Sequence, residues 1–306
     1  MDIWKELQEK WPWLAVAAGA GASLLIALHY LTDQQNKKTA EEHAHNCQSH
    51  ETCGLSVVIP TKNEERVIGE LMQCLKGQES AGVPVEIIVV DGFSEDRTPQ
   101  IARELGADIV YQDHGKVSRA RNIGALLSKY PHLLILDADT LLKGKDFLKK
   151  LVKHVHEHHV RFGTFYMEAK SDWLIGVLYW FMNIYNHWNP SGCGAYWYVD
   201  RDVFFEMKGF DEKIMFCEDV GLTRRIVRKY PCRMIPATVY WDERRIKREG
   251  VLSLCSRYLA ALWTKSADAE ELNAIDPGYF ERSAGGRYYL SDKAVVIDEQ
   301  RQEGAN

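Results

Sequence analysis

The chain lacks the cysteine pattern of a secreted, disulfide-bonded protein. Its seven cysteines are odd in number and contain no C-x-x-C pair, so we expect no disulfide framework and a reducing compartment. It also lacks an excess of positive charge, because 38 Lys and Arg face 43 Asp and Glu for a formal net charge of -5. Nucleic acid is therefore not an expected partner.

Formal charge is also missing from residues 12–31, which are rich in Ala, Leu and Gly. As a helix, this segment would extend about 30 Å, the thickness of the hydrocarbon core of a bilayer. The alternative is a cleaved signal peptide, but such peptides begin with basic residues, and here three acids come first, Asp2, Glu6 and Glu9. We predict a retained single-pass membrane anchor, and we expect the domain that follows it to face the cytoplasm, although the flanking lysines balance and do not decide the orientation.

The remaining chain divides by composition. A short tail precedes the predicted anchor, a polar linker follows it, and an apolar pattern begins abruptly after that. The predicted boundaries are 1–11 for the tail, 12–31 for the transmembrane helix, 32–53 for the linker, 54–250 for the main domain and 251–306 for a C-terminal amphipathic helix with a tail.

Short apolar strands alternate with helical patterns in the first half of the main domain. The predicted strands are 55–59, 86–90, 108–111 and 133–136, and the helices between the later strands are 98–105 and 117–129. Because such alternation implies right-handed crossovers, it predicts an α/β, Rossmann-like fold with a mostly parallel sheet and flanking helices. Beyond it we predict helices at 145–160, 173–188 and 220–228 and strands at 195–199 and 234–240.

Two carboxylates follow the fourth strand, in the sequence Asp137-Ala138-Asp139. Ligands collect at the carboxyl ends of strands in open α/β sheets, and two crowded like charges are costly unless a cation neutralises them. Carboxylate oxygens are hard ligands, which favours Mg²⁺ or Mn²⁺ bridging the protein to phosphate oxygens. A simple turn cap is the alternative for so short a motif.

Other motifs surround this tripeptide in a fixed order. They are VIPTKNEE at 58–65, VVDGFSEDRT at 89–98, ARNIGA at 120–125, and GFDE at 209–212 leading to Glu218-Asp219. Together these motifs resemble the family 2 glycosyltransferases of the GT-A fold over about residues 54–250, and their ordered combination is more specific than any one of them.

The resemblance implies a metal-dependent enzyme that moves a sugar from a nucleotide-sugar donor to an acceptor hydroxyl or phosphate, with inversion at the anomeric carbon. The predicted anchor and the apolar segment 173–188 suggest a lipid-linked acceptor, and a glycan is the alternative. Asp137 and Asp139 would hold the divalent ion on the diphosphate. The implied donor-site residues are Pro60, Thr61, Asn63, Glu64, Asp91, Arg121, Asn122, Asp137 and Ala138.

Several of these residues also have structural explanations. Thr61, Asn63 and Glu64 follow a strand and open a helix, where they suit either an anionic ligand or an N-cap. Asp91 can accept hydrogen bonds from a base or simply begin a turn. Arg121 and Asn122 could equally be solvated surface residues.

Glycosyl transfer needs a base for the acceptor proton, and Asp219 is our candidate, with Glu218 beside it. The alternative is that the pair only complements the helix macrodipole. The resemblance places an acceptor-facing loop at Gly194. Arg244 and Arg245, in a basic cluster with Lys247 and Arg248, suit phosphate of the departing diphosphate or of a lipid headgroup.

The Q-x-x-R-W motif of processive synthases is absent, so we expect transfer of one sugar. The apolar segment 173–188 is short for a membrane span and predicts an interfacial helix or, alternatively, a buried core helix. Two rival functions also stay open. They are a retaining enzyme of the same fold and a non-catalytic, membrane-tethered nucleotide-sugar-binding protein.

Overall fold

The structure is a computed structural model. It describes residues 54–170, 172–188, 196–215, 217–241, 243–244, 250, 273–274 and 295–296. Within these ranges, no helix is both long enough and apolar enough to cross a membrane. The predicted anchor, the polar linker, the amphipathic helix predicted to begin at residue 251, Gly194 and Arg245 lie outside the described residues.

Nine strands of the described chain form one sheet with the order β5-β8-β6-β7-β4-β1-β2-β3-β9. Their bounds are Leu55–Thr61 (β1), Val85–Asp91 (β2), Ile109–Gln112 (β3), His132–Leu136 (β4), Leu141–Leu142 (β5), Phe162–Glu168 (β6), Tyr196–Asp200 (β7), Cys232–Tyr240 (β8) and Val295–Val296 (β9).

The sheet is mixed, which corrects the prediction that it is mostly parallel. Strands β4, β1, β2 and β3 run parallel, as the alternating pattern predicts. Strand β7, however, pairs antiparallel with both β4 and β6, while β6 and β8 are parallel to each other. The sequence rule for crossovers applies to strands separated by helices, and it does not constrain a strand that enters the sheet in the opposite direction.

Seven helices accompany these strands in the described part of the chain. They are Ile68–Lys76 (α1), Thr98–Glu104 (α2), Val117–Leu127 (α3), Phe147–His158 (α4), Trp173–Trp188 (α5), Arg201–Glu206 (α6) and Glu218–Val227 (α7). The sequence prediction missed β5, β6, β9 and α6. Strand β6 has the sequence FGTFYME, in which glycine and a lack of polar alternation conceal the strand pattern.

The core is built around β1 and β4, whose apolar side chains are almost wholly buried. Helix α3 approaches this pair unusually closely through Gly124. A Cβ atom built on Gly124 would lie 2.2 Å from Cγ1 of Val58 on β1, a separation that no real side chain tolerates. Glycine therefore lets α3 pack against the sheet and brings the preceding residues of ARNIGA toward its edge.

Candidate active site

The carboxyl ends of β1 and β2 meet at one edge of the sheet, because the register pairs Thr61 with Asp91. The Thr61 hydroxyl donates a hydrogen bond of 3.1 Å to the Asp91 carboxylate. Strand β4 ends beside them, with Val58 paired to Ile135. The first two motifs and the acidic tripeptide of the sequence analysis therefore share one edge, as expected for the ligand edge of an α/β sheet.

Asp91 is wholly buried and organises the loop after β2. Its carboxylate accepts hydrogen bonds from the Ser94 amide at 2.9 Å, the Ser94 hydroxyl and the Gln112 side-chain amide at 2.9 Å. These hydrogen bonds give a buried carboxylate the polar partners that it needs away from water. The predicted contact of Asp91 with a nucleotide base stays a prediction, and the structure adds a scaffolding role for the same carboxylate.

The loops after β1 and β2 hold each other through reciprocal hydrogen bonds. The Asn63 amide N–H donates to the Ser94 hydroxyl and the Glu95 amide donates to the Asn63 side-chain oxygen, both at 2.8 Å. The Glu64 amide donates to the Thr98 hydroxyl at 2.8 Å. Asn63 and Phe93 both have positive φ angles, 52° and 55°, which these bonds help to maintain. The two predicted donor-site loops thus behave as one unit, with Pro60 buried in the strand below.

Arg121 joins the two acidic motifs. Its guanidinium bonds to the Asp137 carboxylate through Nη2 at 2.9 Å and to the Glu218 carboxylate through Nη1 at 2.6 Å. The arginine side chain is only 4% exposed, whereas Glu218 is 14% and Asp137 is 34% exposed. Residues from α3, the end of β4 and the start of α7 therefore meet at one cation. The alternative that Arg121 is a solvated surface residue is wrong.

The charge state of Arg121 is fixed by these partners. Burial by itself lowers the pKa of the guanidinium, but the negative charges and hydrogen bonds of Asp137 and Glu218 outweigh burial and raise that pKa above the ordinary arginine value. The Phe210 ring lies 5.2 Å from the guanidinium carbon and adds a cation–π contact. Arg121 is therefore a permanent internal cation between Asp137 and Glu218.

Asn122 holds the GFDE segment in place. Its side-chain oxygen accepts a hydrogen bond from the Phe210 amide at 2.8 Å, and its nitrogen donates to the Phe210 carbonyl at 3.0 Å and to Glu212 at 3.1 Å. The preceding Gly209 has φ of 59°, and a Cβ atom there would lie 2.6 Å from the Asn122 side-chain oxygen. Asn122 thus also has a structural role, and its predicted contact with the nucleotide stays a prediction.

Asp219 lies in the first turn of α7 and is 7% exposed. Its carboxylate accepts a hydrogen bond of 2.8 Å from the Val220 amide. Glu218 is in the same turn, and both acids complement the helix N-terminus. Glu218 also reaches Arg121, so the contribution of the pair is not limited to the macrodipole. The predicted base, Asp219, therefore directly follows Glu218, which shares the Arg121 guanidinium with Asp137.

A cleft of about 220 Å³ opens beside Asp139 and Ala138. Arg244 lines it and donates to Asp139 at 3.1 Å and to Glu64 at 3.2 Å. The lining also includes several residues that were not predicted as site residues, among them Lys170 and Trp241. Neither of these two belongs to a motif of the resembled family, and only their positions just after β6 and β8 could have indicated them.

The acidic tripeptide provides two partly exposed carboxylates, Asp137 at 34% and Asp139 at 27%. Each has an arginine neighbour, and the described residues include no group of three or more His, Cys, Asp or Glu able to hold a metal ion. This donor set fits a divalent ion only if the ligand supplies the remaining oxygens. The phosphate oxygens of a nucleotide would complete such a set.

The family model of glycosyl transferase family 2 matches residues 56–213, just over half of the chain. The chain belongs to this family. The match confirms the family suggested by the five ordered motifs.

Curated relatives agree with this assignment. The chain is 35% identical over 109 residues to a 4,4'-diaponeurosporenoate glycosyltransferase of Staphylococcus haemolyticus, covering 33% of this chain and 28% of that protein. It is 30% identical over 110 residues to the poly(ribitol-phosphate) beta-N-acetylglucosaminyltransferase TarS of Staphylococcus aureus, covering 34% of this chain and 19% of the relative. The matches thus span less than a third of either relative.

Among solved structures, the mannosyltransferase PcManGT from Pyrobaculum calidifontis, in complex with GDP-Man and Mn²⁺, has a TM-score of 0.53. It is 19% identical in sequence, and the likeness covers 85% of this chain and 80% of that chain. The shared feature is the GT-A-like α/β fold, which agrees with the fold class predicted from the sequence apart from the mixed sheet.

Proposed function

We propose that the protein is a metal-dependent, inverting glycosyltransferase that moves one sugar from a nucleotide-sugar donor to an acceptor hydroxyl. Family membership supports transfer of a sugar. The single observation that carries the mechanism is the Arg121 guanidinium, which bonds to the donor-side Asp137 and to Glu218, the neighbour of the candidate base.

The donor diphosphate would lie beside Ala138 and Asp139, in the cleft that Arg244 lines. Asp137 and Asp139 would hold Mg²⁺ or Mn²⁺, which supplies positive charge to the leaving diphosphate. Arg244 is half-exposed and already bonds to two carboxylates. When a diphosphate enters, its guanidinium can exchange these partners for phosphate oxygens, a charge-assisted interaction that it makes well.

Asp219 is the proposed base. The acceptor oxygen forms a bond to the anomeric carbon while the bond from that carbon to the diphosphate oxygen breaks, and the electron pair leaves with the diphosphate. Asp219 takes the acceptor proton. The Val220 amide donates a hydrogen bond to this carboxylate, which lies at the N-terminus of α7. Attack from the face opposite the diphosphate inverts the anomeric configuration.

The acceptor and the location extend this proposal. Residues 12–31 would anchor the enzyme in a membrane as a single-pass protein with the catalytic domain in the cytoplasm, and a lipid-linked acceptor would suit that location. A soluble glycan is the alternative acceptor.

The test is a panel of nucleotide sugars incubated with the purified chain, Mn²⁺ and either membrane lipids or soluble glycans, with release of nucleoside diphosphate as the readout. We expect release with one donor class, its loss in Asp139→Ala, and no loss in Asp146→Ala, a half-exposed acid paired only with Lys150 among the described contacts. Donor binding without release under every condition would favour the non-catalytic binding protein. NMR of the product decides between inversion and retention.

A further inference from the structure

Helix α5 exposes a continuous apolar face. Its outward residues recur at helical spacing, and at 100° per residue they fall within about 120° of arc. They include three large aromatic rings, with Trp173 75% exposed, Trp180 58% and Phe181 59%. The full set is Trp173, Leu174, Val177, Trp180, Phe181 and Ile184. An aromatic-rich apolar patch of this size marks an interaction surface.

The opposite face of α5 is occupied by the protein itself. Ile175 and Tyr179 are buried there, and the Tyr179 ring stacks on Trp241 with centroids 5.7 Å apart. The Asn183 side chain bonds to both backbone groups of Met167 on β6, at 2.9 and 2.8 Å. These contacts fix the rotation of the helix, so the apolar stripe points outward because of the packing behind it.

The dimensions of α5 exclude a spanning role and favour an in-plane one. Sixteen residues extend about 24 Å as a helix, which is shorter than the 30 Å hydrocarbon core. The predicted core-helix alternative also fails, because six large apolar residues are exposed. A helix with one apolar aromatic face and one protein-bound face can lie along a bilayer surface. Tryptophan is the residue enriched at that depth.

Basic residues accompany the N-terminal end of the same helix. Lys170 precedes α5, is 55% exposed and forms an ion pair with Glu70 at 2.7 Å, and the Asp172 amide bonds to the Glu243 carboxylate at 3.2 Å. Glu243 is followed by Arg244, and the sequence continues with Arg245, Lys247 and Arg248. Basic residues beside an apolar helix attract the anionic headgroups of a membrane.

We propose that the apolar stripe of α5 docks on the surface of a bilayer containing anionic lipids, with the exposed Lys170 at the headgroups. The surface concerns the acceptor of the proposed reaction, and its relevance to catalysis rests on the proposed function. Lys170 and Trp241 line the cleft and also adjoin α5, so docking would hold the cleft near the headgroup layer. An acceptor hydroxyl or phosphate carried on a lipid would then reach the cleft without leaving the membrane.

Photo-crosslinking of the full chain tests this proposal without requiring catalysis. The cross-linker p-benzoylphenylalanine replaces Phe181 in one variant and Phe205 in a matched control, which is also an exposed phenylalanine at 40% but lies on α6. Both substitutions preserve an aromatic ring. Each variant is irradiated in vesicles of phosphatidylcholine with or without phosphatidylglycerol, and lipid adducts are counted by mass spectrometry.

We expect lipid adducts at position 181, about tenfold fewer at position 205, and a higher yield at 181 with phosphatidylglycerol, since basic residues near an anionic surface strengthen binding. Equal yields at the two positions would overturn the docking surface, and equal yields in the two lipids would overturn its anionic partner. Adducts joining two copies of the chain at 181 would instead assign the stripe to self-association. Nucleoside diphosphate release, measured separately in detergent solution without vesicles and with either lipid or soluble glycan acceptors, reports the proposed catalysis independently of these outcomes.

Discussion

Replacing Arg121 by methionine tests the central geometry of the site. Methionine has similar length and no charge, so the change removes the cation that Asp137 and Glu218 share. Loss of one partner from a buried ion pair costs about 3–5 kcal/mol. Because Asp137 is one-third exposed and water can solvate it, we expect the lower end, about 3 kcal/mol of unfolding free energy.

Two further variants keep this prediction measurable if Arg121→Met unfolds. Arg121→Lys retains the charge, but one ammonium cannot reproduce two guanidinium bonds, so we expect a loss of about 2 kcal/mol. Glu218→Gln in the Arg121→Met background removes one of the two carboxylate charges left unpaired, and the double variant should be more stable than the sum of the two single losses by about 1–3 kcal/mol.

Urea unfolding followed by far-UV circular dichroism measures these differences. The control is Arg97→Met, whose side chain is 69% exposed and pairs with Glu104, which is itself 65% exposed. For this exposed pair we expect a loss of about 1 kcal/mol or less. If Arg121→Met costs no more than Arg97→Met, or if the losses of the double variant simply add, Arg121 does not link the two acidic motifs.

Three other variants test separate parts of the molecule. In Asp219→Asn, turnover should fall by about 10²- to 10⁴-fold while the Kd for the nucleotide stays constant. Steady-state kinetics measures the turnover and calorimetry measures the Kd. Unchanged turnover would contradict the assignment of Asp219 as the base. Gly124→Ala should lose about 1–3 kcal/mol of unfolding free energy because its methyl group meets Val58, and unchanged urea unfolding would show that α3 moves away freely. Arg244→Gln should weaken nucleoside diphosphate binding by about tenfold with a small change in stability. The control Arg97→Gln, at an exposed arginine, should change neither the affinity nor the stability. If calorimetry gives Arg244→Gln the same affinity as the unmodified protein, Arg244 is excluded from the phosphate site.

The parallel half of the fold could be predicted because its signals are local. Strands β1, β2 and β4 are apolar runs that end at a polar motif, and β1, β2, β3 and β4 appear within a few residues of their predicted bounds. Strand β6 and the antiparallel entry of β7 depend on long-range pairing, which no periodicity within a segment records.

The site shows the same division. Sequence motifs could suggest which polar residues gather at the sheet edge, because a parallel register aligns strand ends such as Thr61 and Asp91. They could not show that Arg121 bonds to two acids located 16 and 97 positions further along the chain. That arrangement depends on the packing of α3 against β1 and on the placement of α7.

The reciprocal bonds between residues 63–64 and 94–98 have a consequence for protein engineering. A chimera that takes only one of these two segments from another sugar transferase would lose the hydrogen bonds that join the segments. Exchanging both segments together keeps these bonds, so attempts to alter donor choice in this protein should replace the two segments at the same time.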